Sequence, residues 1–164
     1  MIIRKAKIMD AESFWQMKSD LDKETKYMMY EPDERIRDIK RIENIINQST
    51  SGDNLLLFAE DEGEIVGYIS AQRGGLRRNK HTAYIVIGIR RAYQRKGIGT
   101  QFFDILNDWA KKSNIKRLEL TVMCLNTGAK RLYEKYGFVI EGTKKCSMLV
   151  DGKYIDEYYM SRIL

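Results

Sequence analysis

Hydrophobic residues recur along the chain with two periods, and the switches between them mark its elements. Ile2, Ile3 and Ile8 make a short opening strand. Phe14, Met17 and Leu21 then return at helical spacing behind Asp10, a residue type suited to cap a helix. Residues 24–32 break that pattern, and residues 33–48 restore it with Ile36, Ile39, Ile42 and Ile46 on one face. A turn is expected over 50–54. Strands are predicted at 55–60, 64–72 and 81–90, with Glu62-Gly63 as a tight hairpin between the first two. Residues 97–113 return to helical period, with Ile98, Phe102, Ile105, Leu106 and Trp109 on one side. A strand at 117–123 and a helix at 126–136 follow, the helix aligning Ala129, Leu132, Tyr133 and Tyr136. Two last strands, 138–150 and 154–163, meet at the hairpin signal Asp151-Gly152.

The predicted order is therefore β-α-α-β-β-β-α-β-α-β-β, an α/β arrangement (α+β by some schemes). A mixed sheet covered by helices on both faces is its natural packing. The hairpins supply antiparallel neighbours, and each β-α-β passage favours a parallel pair. No repeat, low-complexity tract or linker interrupts the chain, and Pro32 is its one proline, so residues 1–164 are expected to form a single domain.

Composition narrows the function classes. The chain is 43% hydrophobic and 32% charged, which reads as globular. No apolar run approaches the roughly 20 residues that span a bilayer. The start, Met1-Ile2-Ile3-Arg4-Lys5, turns charged too early for a signal peptide, so a cytoplasmic location is the default. Cys124 and Cys146 have neither disulfide-framework nor metal-ligand spacing. His81 is the one histidine, which excludes a multi-histidine metal site, and no metal is expected. The net charge of +6 favours anionic partners: a nucleic acid, an anionic surface or a phosphorylated cofactor.

The segment 87–100 decides among them. It leaves the apolar strand through Ile87, Gly88 and Ile89, crosses the basic turn Arg90-Arg91-Ala92-Tyr93-Gln94-Arg95-Lys96, and starts a helix through Gly97-Ile98-Gly99-Thr100. Amide N–H groups opening a helix have no intrahelical partners, and the helix dipole adds positive potential there. Glycine lets a bulky phosphate approach, so the turn forms an anion cradle suited to a pyrophosphate. Arg90, Arg91, Arg95 and Lys96 are expected to gather at its mouth. The loop lacks the third glycine of a dinucleotide fingerprint and the Gly-Lys-Ser/Thr ending of a Walker loop. A tight strand-to-helix connection needing glycine only for packing is the alternative.

Gln94-x-x-Gly97-x-Gly99 resembles the cofactor motif of the GNAT N-acetyltransferases. Asn126, Ala129 and Leu132-Tyr133-Glu134-Lys135-Tyr136-Gly137-Phe138 are similar to the family's second signature, in the same order and spacing. The resemblance implies a GNAT-like, mostly antiparallel central sheet and an acetyl-CoA-dependent enzyme that acetylates a primary amine. It implies that Gln94, Arg95, Lys96, Gly97, Ile98, Gly99 and Thr100 hold the CoA pyrophosphate. Ile87, Gly88 and Ile89 would pair with the pantetheine arm at a local splay, and Asn126 would bond that arm. Tyr133 would lie near the thioester sulfur as proton donor. Glu119 is the candidate base, although the family often carries its glutamate two residues further on, where this chain has Thr121. The acceptor is expected to meet Tyr27, Tyr30 and Glu31 in one segment and Tyr154 in the C-terminal hairpin. A small amine or amino acid is the first reading, a ribosomal-protein-type N-terminus its rival, and a non-catalytic acyl-CoA-binding regulator the alternative outside enzymes. No nucleic-acid or membrane partner is expected, and a homodimer stays open.

Overall fold

The computed structural model describes residues 1–164. In chain order it comprises β1 (Ile2–Lys5), α1 (Ala11–Glu24), α2 (Ile39–Thr50), β2 (Leu55–Asp61), β3 (Glu64–Arg73), β4 (Thr82–Ile89), α3 (Ile98–Lys112), β5 (Arg117–Met123), α4 (Thr127–Lys135), β6 (Val139–Val150) and β7 (Lys153–Ile163). The strands form one sheet in the order β1-β2-β3-β4-β5-β7-β6, and only β4 and β5 run parallel. This is the mixed, mostly antiparallel sheet that the resemblance implies. None of its helices is long and apolar enough to cross a membrane.

Alternation decides which side chains meet which helices, because successive strand residues point to opposite faces. On one face Leu56, Phe58, Ile65 and Tyr68 pack under Phe14, Met17 and Leu21 of α1 and Ile42 and Ile46 of α2. On the other, Leu57, Ile69, Ile85, Leu118, Leu120 and Val122 pack under Ile98, Phe102, Phe103 and Leu106 of α3. Fully burying each of these large side chains contributes about 1.5–3 kcal/mol.

The structure corrects four readings of the sequence. Helix α2 begins at Ile39, capped by Asp38, whose Oδ1 accepts the Arg41 N–H at 3.0 Å. Ile36 therefore lies outside the helix and is 84% exposed. On α3 the buried arc runs through Phe103 rather than Ile105, because Tyr136 of α4 stacks on Phe103 at 4.8 Å. Asp10 precedes α1 without capping it; its carboxylate accepts the Lys7 N–H and N–H groups of the two terminal Arg4 guanidinium nitrogens. The passage from β5 through α4 to β6 yields no parallel pair, since β7 is inserted between those strands. Likewise β1 and β2, separated by two helices, pair antiparallel.

Lys18 of α1 lies over the Phe14 ring at 4.3 Å. Burial first, then Arg35 and Arg41, lower its amine to a pKa of about 8. The unfolded chain therefore holds this proton more tightly than the folded one between pH 8 and 10.5, and stability linked to Lys18 rises across that window. Below pH 8 the folded protein carries the whole penalty of a buried charge. Lys18→Met is expected to stabilise the protein at pH 7 by on the order of 2 kcal/mol, an advantage that shrinks from pH 8 upward and is largely gone by pH 10. Urea unfolding at the two pH values checks it.

Candidate active site

The ladder between β4 and β5 is short. Its register is Thr82↔Arg117, Ala83↔Leu118 and Tyr84↔Glu119, and then the two strands part. Strand β5 continues to pair with β7 up to Met123↔Glu157, and β4 with β3 up to Ile89↔Gly67. A wedge thus opens in the middle of the sheet. Antiparallel pairing shows which backbone groups face it. Arg90 N–H donates to Val66 C=O at 2.9 Å and Gly74 N–H to Thr82 C=O at 3.1 Å, so even-numbered β4 residues bond to β3. The N–H and C=O groups of Ile85, Ile87 and Ile89 therefore point into the wedge, where no strand meets them. The Gln94 side chain takes one, donating from Nε2 to Ile89 C=O at 3.1 Å.

Gly88 contributes differently. Its own amide faces β3, and the β3–β4 register runs through it without a bulge. A Cβ there would come within 2.5 Å of Leu21 Cδ2 and 2.8 Å of Tyr68 Cε1, so the missing side chain lets α1 close on β4.

The wedge leads to the start of α3. Arg95 and Gly97 take left-handed backbone conformations, with φ of 60° and 82°. Such a turn aims successive N–H groups at one concavity. Gln101 N–H is the first to bond within the helix, to Gly97 C=O, which leaves those of Ile98, Gly99 and Thr100 without intrahelical partners. The first turn carries no acidic residue. Lys96 Nζ lies 4.7 Å from the Tyr93 ring, and Lys135 of α4 brings its ammonium to Thr100 Oγ1 at 3.5 Å. Sequence reading missed Lys135, which reaches the cradle from the neighbouring helix. Gly99 is buried, and a Cβ there would meet Leu132 Cδ2 at 2.7 Å, so this glycine also sets the approach of α3 to α4.

Arg90 and Arg91 do not join the mouth. Arg90 pairs with Glu24 at 2.7 Å and with Asp20 at 3.5 Å, while Arg91 donates to Glu24 through its backbone N–H and its guanidinium. Both tie β4 to the C-terminal end of α1 instead.

Tyr133 and Asn126 arrive on α4. Asn126 caps that helix, its Oδ1 accepting the Ala129 N–H at 3.2 Å, which leaves its amide nitrogen available. Tyr133 is 6% exposed among Phe103 and Phe138. Burial pushes its phenol above the usual range, and the phenols of Tyr84 and Tyr68 add to the shift. At the apex of the wedge, Tyr84 and Thr121 join β4 to β5 by a hydroxyl hydrogen bond of 2.9 Å.

Glu119 is the partner of Tyr84 in the last pair of the ladder, and Arg117 Nε donates to its Oε2 at 2.6 Å. The same guanidinium holds both oxygens of Glu141, whose carboxyl falls to about 2 through that hydrogen bond and a second from Ser161. Together with Tyr84, Leu120, Tyr159 and Met160 these groups line an open cavity of about 350 Å³.

The two expected acceptor segments do converge. Lys26 pairs with Asp151 of the C-terminal hairpin, and Tyr27 OH donates to Leu125 C=O at 3.4 Å. Tyr30 lies under the Arg35 guanidinium, 4.3 Å from its ring. Glu31 and Tyr154 are both exposed to solvent.

Comparison with known proteins agrees with this geometry. Residues 14–138 match the model of the acetyltransferase (GNAT) family. The L-amino acid N-acetyltransferase AaaT of Escherichia coli is 32% identical over 111 residues, 65% of this chain and 67% of that one. A GNAT-family acetyltransferase from Streptococcus pneumoniae superposes with a TM-score of 0.94 at 30% identity, covering 99% of both chains. A phosphinothricin acetyltransferase from Sinorhizobium meliloti, solved in complex with acetyl-CoA, shares the fold at 18% identity and a TM-score of 0.85, covering 99% of this chain and 88% of its own. With the wedge, the bare helix start and these relatives in agreement, the chain belongs to the GNAT acetyltransferase family and is an acyltransferase.

Proposed function

We propose that this chain moves the acetyl group of acetyl-CoA to a primary amine by direct attack in a ternary complex, with a small amine or amino acid as acceptor. One observation carries the reading: the β4–β5 ladder ends at Tyr84↔Glu119, so the amide groups of Ile85 and Ile87 are free of a strand partner on the strand that leads into the open start of α3. An extended arm ending in a diphosphate fits that combination of strand edge and anion cradle. Ile87 and Ile89 pair with the arm, and residues 95–100 hold the diphosphate. The Asn126 amide meets the arm from the other side, and Gln94 fixes the turn. The relative whose name gives L-amino acids as its acceptors supports the acceptor class.

A thioester is already activated toward nucleophiles, so this chain needs no covalent nucleophile of its own. It has to align the amine, polarise the carbonyl and protonate the departing sulfur. Alignment in a closed ternary site is worth a large part of the barrier. An amide N–H of the wedge, held rigid by the β3 ladder, donates to the carbonyl oxygen. Tyr133 donates to the sulfur, and its raised pKa keeps the phenol protonated throughout the neutral range.

Glu119 acts at the end of a proton path rather than on the amine itself, since Arg117 already occupies one of its oxygens. Glu119→Gln is expected to lower kcat by less than about tenfold, below the usual effect of removing a direct base; steady-state kinetics on purified protein decides this. The function itself is tested by thiol release across amines, free amino acids and peptides with free N-termini. Release that depends on a primary amine, with the acetylated product found by mass spectrometry, is expected. Acetyl-CoA binding without acetylation of any amine would overturn the reading.

A further inference from the structure

Four carboxylates lie near the wedge on β5, β6 and β7, and three of them have strong partners. Arg117 holds Glu119 and Glu141, and Asp156 accepts Lys145 Nζ and the Cys146 N–H, each at 2.9 Å. Glu157 differs. It is only 7% exposed, yet its near partner is a single hydroxyl, that of Ser147 at 2.8 Å. The nearest ammonium, on the half-exposed Lys144, is 3.8 Å away. A carboxylate can accept about four hydrogen bonds, so this one keeps acceptor sites open to a donor that reaches it at close range.

Its position is specific. Glu157 pairs with Met123, the last residue of β5, at the open end of the wedge. Its neighbours in alternation, Tyr158 and Met160, pack against the α3 side, so Glu157 faces the opposite side together with Thr121 and Tyr159. Irregular pairing of β6 between Lys144 and Met148 lays Ser147 over it, with Cys146 at a φ of 49°. The α1–α2 segment crosses close by, through Tyr27 on Leu125 and Lys26 on Asp151.

We infer that Glu157 receives the ammonium of the acceptor, which makes the substrate class an amine that arrives protonated and gives up one proton to solvent before its neutral nitrogen attacks the thioester carbon. The inference rests on the acetyl-transfer reading and names the anionic half of its acceptor pocket. The acceptor's charge completes the short-range pairing that Ser147 and Lys144 leave unfinished, and it brings the nitrogen to the end of the wedge where β5 stops.

Glu157→Gln keeps the shape and the hydrogen bond to Ser147 while removing the charge. With an amine that the wild type acetylates, its KM for that amine is expected to rise at least tenfold, with the acetyl-CoA dissociation constant unchanged by calorimetry. Ser147→Ala, which loosens the irregular segment but leaves the carboxylate, is expected to keep KM within threefold. A merely structural Glu157 gives the opposite pattern, a lower melting temperature and an unchanged KM in the glutamine variant, and that result overturns the inference. A second measurement does not need turnover. With CoA present, n-butylammonium and glycine are each titrated against thermal unfolding. Stabilisation of the wild type that Glu157→Gln loses supports the inference; equal shifts in both proteins, or none in the wild type, overturn it. If ammonium binding depends on Glu157 while no amine is ever acetylated, the transfer reading falls, and Glu157 as the receiver of an acceptor falls with it, leaving a cation site alone.

Discussion

Gly97→Val is expected to weaken acetyl-CoA binding by about 100-fold or more while the protein stays folded. Gly97 has a φ of 82° and caps α3, and a β-branched residue is a genuine outlier at such an angle. Nothing lies within 4 Å of the place its Cβ would take, so the expected loss comes from backbone geometry rather than from a clash in the core. Valine forces the turn to relax, and the N–H groups of residues 96–100 then no longer converge. Asparagine tolerates the left-handed region much better, so Gly97→Asn is expected to keep affinity within about tenfold. Calorimetric titration of CoA against the two variants checks the order. Equal weakening by both would show that the angle at 97 is not what shapes the site.

Tyr133→Phe is expected to lower kcat by about 100-fold, in the range for loss of a general acid, with the acetyl-CoA dissociation constant within threefold. The ring packs against Phe103 and Phe138 and is retained by phenylalanine, so the packing of the folded state is kept and only a hydroxyl is lost. The melting temperature should accordingly hold or rise slightly. Because burial raises this phenol above its ordinary value of 10, the donor stays protonated through pH 10, and the kcat profile of the wild type should show no alkaline loss from Tyr133 below that point. A phenylalanine variant with kcat within threefold of the wild type would remove Tyr133 from the chemistry.

The parts of the fold that local chemistry dictates could be read from the sequence. Strand β5 has the predicted limits, because its alternating apolar residues fit one half-buried face. Both two-residue hairpins form where Glu62-Gly63 and Asp151-Gly152 predict, each with two positive φ angles. The cradle was legible for the same reason, since residues 94–100 are contiguous. What escaped depends on distant partners. Ile36 fits the helical pattern, but Asp38 two residues later caps the chain more effectively. Phe103 is buried by Tyr136, the C-cap of another helix. The paired state of Arg90 and Arg91 follows from Glu24, more than sixty positions away in the chain. Above all, the proposed acceptor side draws on segments as far apart as Lys26 and Asp151, and no local period announces that β7 inserts between β5 and β6.

Only three residue pairs stitch β4 to β5, and this makes the sheet two leaves on a common spine. Whatever fills the gap between them carries the load that the missing rungs would have carried. On the proposed function the pantetheine arm supplies those rungs, so bound acetyl-CoA is expected to raise the melting temperature of the whole sheet.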